Sequence, residues 1–400
     1  CCFINDAKEE SVNTILEMAE YKKSGSCKVL VVTGCMAQRY KNEIIEEVPE
    51  VDAVLGTTSY GDILKAINEA MEGKHFEEFK DIDYLPEKLG KRVLTTGGHF
   101  GYLKIAEGCD KHCTYCIIPK LRGKFRSVPM ERLIEQAKEM AEEGVKELIL
   151  VAQETTVYGT DIYGKKSLHV LLKELCKIKG IRWIRVLYCY PEEIYDELIQ
   201  TMKEEKKICH YLDLPIQHAS DRILKRMGRR TTQAELVAIV NKLRQEIPDI
   251  VLRTTLISGF PGETQEDHEE LMGFVDEMEF DRLGVFTYSA EEDTPAATMP
   301  DQVPEEVKEE RRDEIMELQQ EISYDKGTDR IGQELLVMIE GKVADESAYI
   351  GRTYGDAPKV DGYIFVQTGE LLMTGDFAKV RVTGALEYDL IGELADEYTE

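Results

Sequence analysis

The stretch Cys109-Asp110-Lys111-His112-Cys113-Thr114-Tyr115-Cys116 places three cysteines within eight residues, at the spacing CxxxCxxC. It directly follows a strand-like run at residues 102–106. Three thiolates on one loop can ligate three irons of a cubic [4Fe–4S] cluster and leave the fourth iron without a protein ligand. By analogy with zinc, an open metal position is typical of a catalytic site. The spacing therefore predicts an iron–sulfur cluster on Cys109, Cys113 and Cys116.

Two other interpretations of this loop stay open at the level of spacing. A zinc knuckle would need a fourth ligand, and His112 lies within the same tight loop, where it could hardly complete a tetrahedron. The chain could also be an iron–sulfur scaffold or redox sensor without chemistry of its own. Reductive cleavage of a bound cofactor would distinguish an enzyme from such a sensor.

The cysteine spacing, with an aromatic residue just before the last cysteine, resembles the radical S-adenosylmethionine (SAM) enzymes. In that family the open iron binds the amino and carboxylate groups of SAM. An electron from the cluster then cleaves SAM to methionine and a 5′-deoxyadenosyl radical. The resemblance implies that Cys109, Cys113 and Cys116 are the cluster ligands and that Tyr115 lies beside the cofactor. It implies no catalytic residue beyond these ligands.

Composition sets limits on the class of protein. The 400 residues suffice for two or three domains, and no apolar run is long enough for a membrane span. Ten cysteines without a secretion signal predict metal ligation in a reducing compartment, here the cytoplasm. Because the chain opens on Cys1, at what looks like the end of a strand, we expect a further segment upstream.

The net charge of −27 makes nucleic-acid binding unlikely, because such binding depends on neutralising phosphates. A basic protein partner fits this charge better. The basic stretch at residues 120–126 is a local exception, and it could line a substrate entrance or be a solvated loop.

Residues 1–75 alternate helical and strand-like patterns, which predicts part of an open α/β sheet. Cys1 and Cys35 would lie at carboxyl ends of its parallel strands, the edge at which such sheets bind ligands. We therefore expect a second metal site there, with a third ligand upstream of this chain. Cys2 is the alternative ligand, and Cys27 is expected to be structural.

Residues 76–98 are polar and weakly patterned, which predicts a linker. From residue 99 to 325 the βα alternation resumes with six units, fewer than the eight of a full barrel. We therefore predict a partial barrel of six parallel strands followed by an exit helix at 301–324. The strand candidates are 102–106, 147–152, 183–188, 211–216, 251–257 and 283–288.

The ends of these strands hold polar and glycine-rich sequences. The second strand ends in Gln153 and Glu154, and the fifth carries Arg253 and ends in a turn with Gly259 and Glu263. Two glycines permit close approach of backbone to a ligand. Beside the cysteine triad, this turn resembles the fifth strand of the radical SAM family, which contacts the cofactor. The resemblance implies SAM contacts at Tyr115, Gln153, Glu154, Arg253, Gly259 and Glu263.

From about residue 327 to 400 the pattern changes to short alternating strands, which predicts a small antiparallel, OB-like barrel. This segment holds 6 Lys+Arg and 15 Asp+Glu, a net charge of −9. Some barrels of this shape bind RNA, but one this acidic should bind a phosphate backbone poorly.

The order of these parts resembles the methylthiotransferases, over essentially the whole chain. That family has an α/β domain with an auxiliary [4Fe–4S] cluster, a radical SAM barrel and a carboxyl-terminal TRAM barrel. Cys1 and Cys35 match its second and third auxiliary-cluster cysteines, so the resemblance implies two clusters. Three stretches look RimO-like, the branch that modifies a ribosomal protein, rather than MiaB-like, the branch that modifies transfer RNA: residues 213–220, 288–294 and 351–362.

The activity implied by the resemblance has two parts. A sulfur species at the auxiliary cluster accepts a methyl group from one SAM. The radical from a second SAM then removes hydrogen from the β-carbon of an aspartate in small-subunit ribosomal protein twelve, and that carbon captures the methylthio group. The acidic barrel would dock this basic protein, and a reductase or flavodoxin-type donor would supply the electrons. Modification of a transfer-RNA adenosine is the alternative.

Overall fold

The computed structural model describes residues 2–85, 92–344 and 346–395 of the chain. They divide into two compact units. The first unit combines residues 1–93, 106–128 and 289–299, and the second combines residues 94–105, 129–288 and 300–400. The cysteine loop and the amino-terminal segment thus belong to one unit.

Apart from the 20-residue helix α1, the elements of the first 128 residues are short. They are α1 (Asn5–Ser24), β1 (Val31–Thr33), α2 (Cys35–Arg39), α3 (Lys41–Glu47), β2 (Ala53–Leu55), α4 (Ile63–Met71), β3 (Phe76–Glu78), β4 (Phe100–Lys104), β5 (Ala106–Glu107), α5 (Ile118–Arg122) and β6 (Arg126–Ser127).

The remainder contains a run of α/β units followed by strands. Its elements are α6 (Met130–Glu142), β7 (Glu147–Val151), α7 (Thr160–Tyr163), α8 (Leu168–Cys176), β8 (Trp183–Val186), α9 (Asp196–Glu204), β9 (Ile208–Asp213), α10 (Asp221–Arg226), α11 (Gln233–Glu246), β10 (Val251–Ser258), α12 (Gln265–Met278), β11 (Arg282–Thr287), α13 (Glu305–Thr328), β12 (Glu334–Lys342), β13 (Ala348–Arg352), β14 (Ile364–Gln367), β15 (Phe377–Ala385) and β16 (Leu390–Leu394).

The first unit is built on a parallel sheet of β1, β2 and β3. Its apolar core holds Val32 and Val54 from the strands and Met36 from α2, together with Ile117 and Leu121 from the segment that follows the cysteine loop. Strand β3 begins at Phe76, so the segment predicted as a linker contributes a strand. Apolar packing thus joins the two cysteine-bearing segments in one unit.

The second unit contains the predicted sheet of six parallel strands, in the order β11-β10-β9-β8-β7-β4. Helices α6, α8, α9 and α13 pack against its strands. The side chain of Ser258 donates to a carbonyl of α13, so the alternate residues of β10, including Arg253, point to the opposite face. We call this opposite face the inner face.

Most element boundaries differ from the sequence prediction by a few residues. Strand β9 ends at Asp213, whereas the prediction extended to 216. Pro215 cannot donate to a β-ladder, and Gln217 adopts a left-handed backbone with φ 72°. The exit helix begins at Glu305, after Pro304, and continues to Thr328. The predicted cap of α12 by Thr264 and Asp267 is present as a reciprocal capping box.

The last five strands close into a barrel in the order β12-β13-β14-β16-β15. The prediction of a purely antiparallel barrel was wrong in one pairing, because β14 and β16 are parallel. Between them the chain passes through β15, which crosses the barrel and pairs with both β12 and β16. That crossover is the long connection that a parallel pair requires. In the part of the chain that the structure describes, no helix has the length and apolar character needed to cross a membrane.

The connection from β13 to β14, residues 352–361, reaches the inner face of the six-stranded sheet. We call it the base segment. Arg352 and Arg185 both bind the buried carboxylate of Glu147, at 2.7 and 2.8 Å. Although burial alone would raise the pKa of Glu147, the two guanidiniums hold it below its ordinary value. The barrel is therefore attached to the sheet through paired, buried charges.

Two further ion pairs link the base segment to strands β10 and β11. Arg282 binds Asp356 at 2.6 Å, and Nε of Arg253 lies 3.3 Å from Asp361. The hydroxyl of Tyr211 also donates to Asp361, at 2.7 Å. Arg185 also donates to the carbonyl of Tyr354, so the five strands from β7 to β11 all contact the base segment.

Candidate active site

The cysteine loop is closed at its base by local backbone bonds. Strands β5 and β6 pair antiparallel on either side of it, and the N–H of Cys109 donates to the carbonyl of Gly123 at 3.1 Å. Gly108 has φ +75°, and a Cβ there would collide with the carbonyl of Lys124, so this position needs glycine. The carboxylate of Asp110 accepts from the N–H of Phe125 at 3.0 Å. These bonds fix the entry and exit of the loop.

The three sulfurs lie in surroundings that suit a metal cluster. Cys109 and Cys113 are 8 % and 6 % exposed. Burial and the neighbouring Cys113 and Cys109 raise the pKa of the Cys116 thiol to about 12. A thiol that ionises with such difficulty becomes a thiolate when a metal binds it, because a coordinated thiol is deprotonated outright. The N–H of Lys111 points at the sulfur of Cys109, 3.4 Å away, a donor of the kind that tunes cluster sulfurs.

The structure does not support the zinc alternative. His112 is exposed. Over residues 2–85, 92–344 and 346–395, no three side chains of the types His, Cys, Asp and Glu are arranged to hold a single metal ion. In a cubic cluster each cysteine binds a different iron, so its ligands need not converge on one point.

A second cysteine of interest lies at the end of β1 in the same unit. Cys35 begins α2 directly after Gly34, which has φ 95°. Its sulfur accepts a hydrogen bond from Nε of Arg122 at 3.2 Å, and Arg122 also contacts Glu107 at 3.4 Å. Burial, followed by the nearby Cys35, raises the pKa of Cys2. Cys1, the predicted ligand, lies outside the described residues.

A buried carboxylate supports the backbone beside Cys2. Glu291, with its side chain 2 % exposed, binds Lys8 at 2.9 Å and Arg39 at 3.2 Å. Arg39 also donates to the carbonyl of Cys2 at 2.9 Å. Glu291 belongs to one of the RimO-like stretches of the sequence, and this contact gives that stretch a physical role.

Tyr115 lies on the cysteine loop in the first unit, and the other predicted cofactor residues belong to the second unit. Gln153 follows β7, and its side-chain oxygen is buried without a hydrogen-bond partner among the described residues. Glu154 is 1 % exposed, and one of its carboxylate oxygens accepts from the N–H of Thr156 at 2.9 Å. A buried acceptor without a donor is costly, so a ligand that brings an N–H or O–H group would fit Gln153.

The turn after β10 is held by Glu263. One oxygen of its carboxylate accepts from the N–H groups of Gly259 and Phe260, at 2.8 and 3.1 Å. The other accepts from Arg311 at 2.8 Å. Both oxygens are thus engaged within the chain, and Glu263 shapes the turn rather than offering a free carboxylate. Gly259 has φ +70° and lies against Lys308, where a Cβ would collide.

Arg253 lies on the inner face between two carboxylates. Its Nη1 donates to Asp213 at 2.8 Å, and its Nε faces Asp361. Burial would lower the pKa of Arg253, but Asp213, Tyr211 and Asp361 raise it. The guanidinium of Arg253 therefore stays protonated. Sequence reasoning found Arg253 but not its partners, because Asp361 is more than one hundred residues away in the chain.

Comparison with known protein families identifies three matching regions in this chain. The Radical SAM superfamily model matches residues 103–275, the TRAM domain model matches residues 331–395, and the model described as Uncharacterized protein family UPF0004 matches residues 1–56. A ribosomal protein uS12 methylthiotransferase RimO of Lachnoclostridium phytofermentans is 66 % identical over 98 % of this chain and 89 % of its own length. The chain belongs to the RimO family.

A second relative agrees with this placement. The ribosomal protein uS12 methylthiotransferase RimO of Clostridium perfringens is 54 % identical over 99 % of this chain and 89 % of its own length. Among solved structures, the cobalamin-dependent SAM radical enzyme OxsB has a TM-score of 0.48 and 14 % identity, over 80 % of this chain and 46 % of that one. As a member of the RimO family, this chain is a SAM-dependent, iron–sulfur methylthiotransferase.

Several residues that shape the site were not found from the sequence. They are Arg122, Glu291, Glu147, Arg185 and Arg352, all charged and largely buried. Glu147 and Arg185 stand in otherwise apolar strands, and that pattern is the one signal that could have indicated buried ion pairs.

Proposed function

We propose that this chain adds a methylthio group to the β-carbon of an aspartate in ribosomal protein uS12. The observation that carries the proposal is the triad of Cys109, Cys113 and Cys116, two of them buried, in a chain of the RimO family. When bound, the cluster and SAM supply an electron and a radical able to take hydrogen from an unactivated carbon. Acid–base residues are not needed for that step.

The cysteine loop holds the first cluster. Its three thiols would ligate three irons, and the closed backbone of the loop keeps their geometry before metal binds. Because two of the thiols are almost fully buried, the cluster would be shielded from water on the protein side. The N–H of Lys111 would donate to the sulfur of Cys109 and stabilise its negative charge.

The ends of β7 and β10 supply the groups proposed for SAM. The buried side-chain oxygen of Gln153 would accept a hydrogen bond from the cofactor, with Glu154 beside it to favour the positive charge of its amino group. The turn at Gly259, held by Glu263, is the proposed backbone contact for the cofactor. Arg253 and Tyr115 are the other residues proposed to contact SAM.

We further propose a second cluster with Cys35 among its ligands. Cys35 stands at the carboxyl end of β1, and its sulfur has a charged donor in Arg122. Donors of this kind orient metal ligands and tune the metal. Cys1 is the proposed companion ligand, and the nearby Cys2 stays the alternative. Iron and sulfide content of a variant without the triad would measure this site alone.

We propose that the carboxyl-terminal barrel docks the basic substrate through exposed carboxylates. Several acidic residues of the barrel are used internally, since Glu340, Asp356 and Asp361 pair with arginines. Those left exposed include Glu346, Glu370 and Glu387. The docking charge is therefore smaller than the net −9 of the segment, and it lies on the outer surface of the barrel.

Charge reversal of these exposed residues tests the docking proposal. The triple variant E346K/E370K/E387K should raise the KM for uS12 and weaken its dependence on salt, because rim charges steer association. A matched triple reversal on α6 (E135K/E139K/E142K) changes the net charge equally and should leave the KM unchanged. Equal effects of the two triple variants would contradict docking by the barrel.

One experiment tests the activity itself. The anaerobically reconstituted protein is incubated with SAM, a reductant and either uS12 or unmodified transfer RNA, and the products are compared by mass spectrometry. We expect the mass of one CH₂S group to be gained on an aspartate of uS12. A gain on transfer RNA would overturn the proposal, although that alternative is not favoured by the RimO relatives. A ribosomal protein substrate would place the reaction in the cytoplasm, and a reductase or flavodoxin-type donor would supply its electrons.

A further inference from the structure

Tyr188 has a backbone conformation that its residue type disfavours. It lies two residues after β8, with φ 58°. The left-handed region is strained for residues other than glycine, and it is unusual for a bulky aromatic side chain. Such strain persists only where the surrounding structure imposes it, and it concentrates at functional sites.

Hydrogen bonds on both sides impose this conformation. The N–H of Tyr188 donates to the carboxylate of Asp213 at 3.1 Å, and its carbonyl accepts from the N–H of Thr155 at 3.1 Å. Asp213 is held by Arg253, which also faces Asp361 of the base segment. A chain of polar contacts therefore runs from the barrel to the turn at Tyr188.

Gln217, shortly after the neighbouring strand β9, has a left-handed backbone for a different reason. Its N–H and carbonyl both bond to β10 in a parallel bridge with Leu256. The ladder accounts for the conformation of Gln217. At Tyr188 the residue's own bonds go to the side chain of Asp213 and to the loop that follows β7, whereas backbone bonds to the neighbouring strands hold Leu187 and Cys189 on either side of it.

The side chain of Tyr188 is partly open to solvent beside Asp213. The side chain is 49 % exposed, so burial of the ring contributes little stability to offset the strained backbone. Yet burial, followed by Asp213, raises the pKa of its phenol, and Tyr188 is among the groups that raise the pKa of Tyr102. Protein atoms thus surround a side chain that water can still reach, and its hydroxyl stays protonated as a donor.

We propose that Tyr188 contacts the substrate, its hydroxyl donating a hydrogen bond to the carboxylate of the aspartate that is modified. This inference rests on the proposed function. A carboxylate needs a donor, and the neighbouring cation Arg253 is already paired with Asp213 and Asp361. Anchoring the carboxylate through a residue fixed in one backbone conformation would hold the adjacent β-carbon in place.

Replacing Tyr188 by glycine distinguishes a structural role of this residue from a role in binding the substrate. The variant Y188G relieves the strain, because glycine adopts positive φ without cost, and it removes the ring. We expect its melting temperature to be no lower than that of the wild type, while modification of uS12 is lost. E279G is the matched control: Glu279 is exposed at the end of α12 with φ 42°, so this variant should keep full activity.

Removal of the hydroxyl alone measures the proposed bond. Y188F should lower kcat/KM for uS12 by about 10- to 100-fold, the range for a hydrogen bond to a charged group, and leave the affinity for SAM within about twofold. Formation of 5′-deoxyadenosine in the absence of uS12 should be unchanged. In binding assays, Y188F should weaken the binding of wild-type uS12 but not that of a uS12 variant with alanine at the modified position, because alanine has no acceptor for the hydroxyl.

Several results would overturn the inference. If Y188G melts at a lower temperature, or if Y188F loses affinity for SAM, then Tyr188 is a structural or cofactor residue. If Y188F modifies uS12 as well as the wild type, the hydroxyl makes no such bond. Failure of the proposed function would look different, because the wild-type protein itself would then leave uS12 unmodified.

Discussion

The cysteine loop and the base of the six-stranded sheet are both built from buried charged or ionisable groups, but they are assembled over different distances. The base of the loop is closed by near neighbours in the chain, Cys109 with Gly123 and Asp110 with Phe125, although the carbonyl of Thr114 also accepts from the N–H of Ala296. At the base, Glu147 binds Arg352, 205 residues away. A site made of local partners can be found from spacing alone, whereas a site made of distant partners depends on the fold.

The largest effect should come from the loop. Replacement of Cys113 by alanine removes one of three ligands, so the cluster should no longer hold and cleavage of SAM should fall below detection. The measurement is 5′-deoxyadenosine formed under reducing conditions. The control is C176A, because Cys176 lies on α8 with its thiol pKa raised to about 12 by burial, and it should cleave SAM normally. Cleavage by the Cys113 variant would refute the assignment of the triad.

At the base, the variant E147Q should lower the stability of the fold and leave the catalytic reaction unaffected. It leaves Arg185 and Arg352 buried without their shared counter-charge, which should lower the free energy of unfolding by about 3–5 kcal/mol. Chemical denaturation measures this change. E246Q breaks an exposed pair with Lys203 and should cost less than about 1 kcal/mol. If both variants cost the same, the base is not the strongly coupled network that its burial indicates.

A third variant tests whether the second metal site depends on a contact between segments that are distant in the chain. Arg122 follows the cysteine loop but donates to Cys35, 87 residues away. In a background without the triad, R122Q should lower the affinity for iron at the second site about 10- to 100-fold, as expected for an outer-shell partner. K124Q, an exposed change in the same segment, should not. An unchanged iron content in the Arg122 variant would argue that the two cysteine segments are independent.

The smallest effect concerns acid stability at the start of α12. Although burial would raise it, hydrogen bonds from Thr264, Ser220 and Arg222 lower the pKa of Asp267 to about 2. A depressed pKa gives stability that is present above the unfolded value near 3.8 and is lost as the pH falls toward about 2. D267N should therefore show a shallower loss of stability across that window. D276N, exposed on the same helix, should follow the wild type.

The sequence was sufficient wherever a few neighbouring residues carry the signal. The cysteine spacing, the six βα units and the cap of Thr264 with Asp267 were all readable because their partners lie within a few residues or repeat with a fixed period. Strand ends were less well predicted, as β9 shows, because Pro215 and Gln217 end the ladder through backbone conformation. The parallel pairing of β14 with β16 was missed because a connection through β15 leaves no mark in the local pattern.

The sequence by itself determined the chemistry of this protein: three thiols on one loop, a strand-and-helix repeat around them and an acidic barrel at the end. The tertiary structure alone decided how charges are distributed among those parts. It assigned Glu340, Asp356 and Asp361 to arginines rather than to a partner, engaged both oxygens of Glu263, and placed the strained Tyr188 beside Asp213. The physical reason is that covalent spacing fixes which groups are near neighbours in a loop. The pairing of buried charges instead depends on which distant strands and loops the folded core brings within about 3 Å of one another.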